Sequence, residues 1–132
     1  MKAFWSIFAV VDGFLSTVVL LALLTFVVPR LMHVRTDAPS QAYLIISVLY
    51  SVASAAVGGW VAARVARHRT DLSPFHHAVA LAAVFLLLGA INIPKALGGP
   101  EAWYPIALTV LAPLACIAAG RVVRQRKSRG RA

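Results

Sequence analysis

Four long apolar runs occupy most of the chain, at 4–28, 41–63, 75–93 and 105–123, and polar or charged residues collect between them. A helix crosses a bilayer with roughly 17–25 apolar residues, so each run predicts one transmembrane helix. A barrel strand would need only about 9–11 residues in strict in–out alternation. Lipid offers the backbone no hydrogen-bonding partner, which leaves helices or closed barrels as the spanning structures. The expected fold is therefore an all-α integral membrane four-helix bundle in one domain, residues 1–123, followed by a basic tail at 124–132.

The boundaries carry their own signals. Pro29 and Arg30 follow the first run, and a polar loop leads to the second. Arg64, Arg67 and Arg69 close the second run. The connection at 68–74 is short and polar, so the runs on either side should be antiparallel neighbours. Pro94 and Lys95 follow the third run, and Pro is expected to end a helix at or near its position. Trp103 and Tyr104 suit the membrane–water interface before the fourth run. The first run is too long for a signal-peptide core of roughly 7–15 residues and lacks a small-residue cleavage pattern, so it reads as an uncleaved span.

Composition sharpens the class without naming an activity. Hydrophobic residues make up 61% of the chain and charged residues 13%; the mean hydropathy is +0.82. A soluble domain would carry roughly 25% charge. The net charge of +9 does not point to nucleic acid. Basic residues beside apolar spans follow the positive-inside rule instead. One side of the membrane would hold Lys2, the 64–69 cluster and the tail; the other would hold Arg30, Arg35 and Lys95. The count is ten against three, which predicts both termini in the cytoplasm of a bacterial inner membrane. Cys116 is the only cysteine, so no intrachain disulfide can form.

A repeat is visible. The second run opens near Pro39-Ser40-Gln41-Ala42-Tyr43 and the fourth near Pro100-Glu101-Ala102-Trp103-Tyr104. They close on Ala62-Ala63-Arg64 and Ala119-Gly120-Arg121. This pattern predicts two helical hairpins of one type, related by a pseudo-axis along the membrane normal.

Few residues inside the runs can carry chemistry. Asp12 is the only acid within one, roughly 12 Å into its helix. An ionised carboxylate there costs about 2.5–3.5 kcal/mol on insertion scales, so it should be paired, neutral or in contact with water. Ser16 lies one turn along the same face. The expectation is a pair with Arg64 or Arg121, read either as a packing clasp or as a proton or cation site. Ser47, Ser51, Ala55, Gly59 and Ala63 recur every four residues, with Gly58 widening the smooth face. Small residues at that spacing let helices approach closely in lipid, within the chain or in a homodimer. Pro113 should disturb the fourth helix, and Asn92 could bond across helices. His33, His68, His76 and His77 match no zinc spacing and read as interfacial, with His77 the one able to point inward. Arg124, Arg126, Lys127, Arg129 and Arg131 could contact anionic lipid at ~1 kcal/mol each. No catalytic motif, cofactor site or metal cluster is present in the sequence.

Gly58-Gly59-Trp60-Val61-Ala62-Ala63-Arg64, His77-Ala78 and Pro100-Glu101-Ala102-Trp103-Tyr104 together resemble small bacterial four-span membrane proteins described as uncharacterised. That resemblance implies a four-span bundle and no known activity. The chain does not look like the small multidrug transporters, which use a glutamate mid-way along the first span. The expected function is that of a non-enzymatic structural or accessory subunit, with another membrane protein or a second copy as partner. The alternative is a small oligomeric transporter or channel that uses Asp12.

Overall fold

The structure is a computed structural model describing residues 1–35, 39–69 and 73–130, apart from the side chains of Lys2, Lys127 and Ser128. It contains four helices: α1 (Lys2–Leu31), α2 (Gln41–Arg69), α3 (Pro74–Ala96) and α4 (Trp103–Arg129). All four are long and apolar enough to cross a membrane.

The helices run past the sequence boundaries. α1 passes through Pro29 and ends two residues later, and α3 passes through Pro94 in the same way. Proline forfeits its own N–H, but nearby carbonyls still find donors: Met32 donates to Val28, Val34 to Pro29 and Leu97 to Ile93. His33, with φ 52°, then turns the chain out of α1. The basic tail continues α4 as helix to Arg129, because Arg and Gln are good helix formers and no Gly or Pro stands between Arg124 and Gly130.

Glycine and other small residues set the close crossings of α1 with α2, α2 with α4 and α3 with α4. Gly13 of α1 lies against Gly58 and Ala62 of α2, and Gly58 in turn against Thr17. Gly59 of α2 meets the backbone of Cys116 on α4. Gly89 of α3 receives the Thr109 side chain, and Gly120 of α4 receives Ala78. Lipid tails are as apolar as the side chains, so association in a bilayer depends on close packing rather than on escape from water. Thus the core is thin and alanine-rich, and Ala62, Ala63, Ala66 and Ala78 are fully buried.

α2 is the central helix and touches all three others, whereas α1 has no close backbone approach to α4. Only 17% of the most apolar window of α1 is buried, against 44% for α2, so α1 sits at the edge. A tilted Phe14–Phe85 contact, with centroids 5.9 Å apart, joins α1 to α3. α2 and α4 run parallel in a fixed register. Ser47 meets Tyr104 at an interval of 57 residues. Gly59 meets Cys116 at that same interval.

Candidate functional site

The basic end of the bundle organises its arginines on aromatic rings. Arg64 lies over Trp60 at 4.8 Å, and Arg69 over Trp5 at 4.4 Å. Arg121 and Arg124 share the Phe75 ring, at 5.9 and 6.0 Å. Such contacts contribute about 0.5–1 kcal/mol at exposed sites. They also bind α2 to α1, and α4 to α3, at that end.

Asp12 does not form the expected pair. Among the described residues no ion pair joins it to Arg64, Arg121 or any other cation. The reasons are geometric. Arg121 lies on α4, which has no close backbone approach to α1, and turns to Phe75 of α3, and Arg64 folds back over its own helix. Asp12 and Ser16 are both half-buried. The neighbouring Gly13 packs on Gly58 and Ala62, which sets Asp12 level with Trp60 and Arg64 near the basic end.

The small-residue face of α2 is used inside the chain. Ser47, Ser51, Ala55, Gly59 and Ala63 are all buried, and their row faces α4. A second row at the same spacing, Ser54, Gly58, Ala62 and Ala66, is buried too, and it faces α1. Two adjacent smooth rows explain why α2 takes the centre. Of the two uses the spacing allows, these rows serve packing within the chain.

A hydroxyl cluster toward the other end was not anticipated from the sequence. Ser47 Oγ donates to the Tyr50 hydroxyl at 3.0 Å and lies 2.7 Å from that of Tyr104. Thr25 of α1 reaches the same Tyr50 hydroxyl at 3.4 Å. The cluster ties α1, α2 and α4. Its signal in the sequence was faint: Ser47 and Tyr50 share one face of a helix by spacing alone.

Other polar groups satisfy themselves on backbone carbonyls. Thr17 Oγ1 donates to Gly13 at 3.0 Å and lies 3.4 Å from the Ser54 carbonyl. Ser54 donates to Tyr50, Thr109 to Pro105 and Asn92 to Leu88. The buried Cys116 thiol donates to Ala55 across the α2–α4 seam at 3.0 Å. His77 is buried with Nδ1 3.4 Å from the Ser73 carbonyl, while His76 is exposed. Among the described residues no three His, Cys, Asp or Glu side chains gather as a metal-binding group. Arg124, Arg126 and Arg129 are exposed on the last turns of α4. Arg131, Asp37 and Asp71, and the side chain of Lys127, lie outside the described residues.

Between the four helices, in the half away from the basic end, is a cavity of about 310 Å³. Leu21, Ala55, Phe85, Leu108 and Ala112 make most of its wall, with Thr17, Ser51, Asn92 and Thr109 as the polar exceptions. Asp12 and the arginines do not line it. The fold and this lining define the class: an all-helical protein with four helices long and apolar enough to span a membrane. The chain matches no protein-family model, and comparison with curated proteins and with solved structures yields no match.

Proposed function

We propose that the chain is a non-enzymatic accessory protein of the bacterial inner membrane, with both termini in the cytoplasm, acting by contact rather than by catalysis. The observation that carries this reading is where the polar side chains place their hydrogen bonds. Thr17, Ser54, Thr109 and Cys116 donate to backbone carbonyls, and Ser47, Tyr50 and Tyr104 bond to one another. Each is engaged inside the bundle: Cys116 and Ser47 join α2 to α4, while Thr17, Ser54 and Thr109 bond back to carbonyls of their own helices. The orientation follows from the arginine-rich end, where Arg124, Arg126, Lys127, Arg129 and Arg131 would meet anionic headgroups. The duplicated-hairpin reading gains support from the register of α2 on α4. The 57-residue interval between Ser47 and Tyr104 is also that between Arg64 and Arg121.

A transporter coupled through Asp12 has less support, because Asp12 stands outside the cavity and near one end of the bundle. Affinity purification in mild detergent, with identification of what co-purifies, tests the accessory role. A stoichiometric membrane-protein partner is expected. Pure protein that drives a proton-dependent flux in proteoliposomes, abolished by Asp12→Asn, would replace this reading with the transporter. A reporter that fluoresces only in the cytoplasm, fused to the C-terminus, tests the orientation.

A further inference from the structure

The central cavity has a neighbour beyond its upper wall. A second hollow, of about 550 Å³, adjoins it at the loop between α3 and α4. Asn92 and Pro105 line both, so the two share a wall. Their chemistry is opposite. The inner cavity is apolar apart from a few hydroxyls and Asn92. The outer hollow carries Lys95 and Glu101, one cation and one anion, with Tyr104 beside them. Among the described residues neither Lys95 nor Glu101 forms an ion pair, so both charges remain available. The Tyr104 hydroxyl is already engaged by Ser47.

We propose that the two adjoining hollows together hold one zwitterionic phospholipid, its phosphate at Lys95, its ammonium at Glu101, and one acyl chain in the inner cavity. The size fits a single chain. At ~30 Å³ per water-sized group, the cavity holds about ten such groups, the upper part of one tail. Leu88 and Asn92 line the cavity and are exposed at its side, so the tail can enter laterally from lipid. A tail leaving the bilayer for an apolar cavity exchanges like for like and gains little. Selection therefore resides in the headgroup. Lys95 would attract the phosphate of any phospholipid, whereas Glu101 would favour one that carries an ammonium and repel one that is net negative. The site uses the spanning architecture, but neither the orientation nor the partner proposed above.

The test is native mass spectrometry of the full chain in mild detergent, with dioleoyl-phosphatidylethanolamine or dioleoyl-phosphatidylglycerol added. One phosphatidylethanolamine per chain should be retained, about fivefold more tightly than phosphatidylglycerol, the ratio expected of one partly solvated charge pair. Glu101→Gln should erase that preference. Lys95→Gln should weaken both lipids, and Ala112→Phe should displace both by filling the cavity. Equal binding of the two lipids to the native chain overturns the proposal, as does retention by a folded Ala112→Phe variant. The native chain alone gives a second readout, using phosphatidylethanolamine with a diazirine on its acyl chain. Photocrosslinks should fall on the α4 segment holding Thr109 and Ala112; crosslinks confined to the outer face of α1, at Leu23 and Phe26, overturn it. Detergent retention does not depend on which way the chain faces, so failure here leaves the accessory reading intact, and failure of that reading leaves this site intact.

Discussion

Gly59→Ala should destabilise the bundle although it improves helix propensity. A Cβ at this position would stand 2.7 Å from the Cys116 carbonyl oxygen, 2.8 Å from its Cα and 3.1 Å from its carbonyl carbon. All three are backbone atoms, so no side chain can swing aside. Restoring ordinary contact requires α2 and α4 to separate by ~0.7 Å, and a gap of that size forfeits a quarter to a half of each dispersion contact along the seam. Overpacking of this kind costs about 1–3 kcal/mol. The same separation lengthens the Cys116–Ala55 and Ser47–Tyr104 hydrogen bonds, and interhelical bonds in membranes average about 0.6 kcal/mol. Against this, alanine is better than glycine inside a helix by about 0.8–1.0 kcal/mol. The net expectation is a loss of about 1–3 kcal/mol. Gly99→Ala is the control: its nearest atom would be the Ala96 oxygen at 3.7 Å, an ordinary contact. Unfolding by sodium dodecyl sulfate in mixed micelles, followed by far-UV circular dichroism, measures both. A Gly59→Ala variant as stable as the native chain, or more so, would refute a backbone contact at this seam.

Three further outcomes are expected. Tyr50→Phe removes the hydroxyl shared by Ser47 and Thr25, and the same titration should register a loss of about 0.6–1.7 kcal/mol; no loss would mean that the cluster holds nothing. Asp12→Asn should leave stability within about 0.5 kcal/mol, because no cation partner is lost; a larger loss would reveal a clasp. Cys116 is fully buried and bonded to Ala55, so a small maleimide should label the folded chain far more slowly than the detergent-unfolded chain. Equal labelling rates would contradict a sealed α2–α4 seam.

The four spans were legible in the sequence because a bilayer imposes one requirement, a run of apolar residues of fixed length, and each run meets it locally. The row from Ser47 to Ala63 was legible for the same reason, since a four-residue spacing puts residues on one face whatever surrounds them. Helix ends were less so. Prolines 29 and 94 each remove one hydrogen bond from the last turn, but neighbouring carbonyls there find other donors, and α1 and α3 continue past them.

Partnership belongs to tertiary structure alone. The sequence offered Asp12 two arginines, and neither pairs with it. Which helices touch depends on where both smooth rows of α2 point, and those rows draw in α1 and α4 on adjacent sides. α1 is thereby kept away from α4, and Arg121 from Asp12. The cavity and its charged mouth are likewise products of assembly. Lys95 and Glu101 flank a loop that reads as an ordinary turn, and only the assembled helices set the hollow they line beside the apolar cavity. Local composition determined that this chain carries four helices long and apolar enough to cross a membrane; the packing of small residues decided which of its few polar groups would meet.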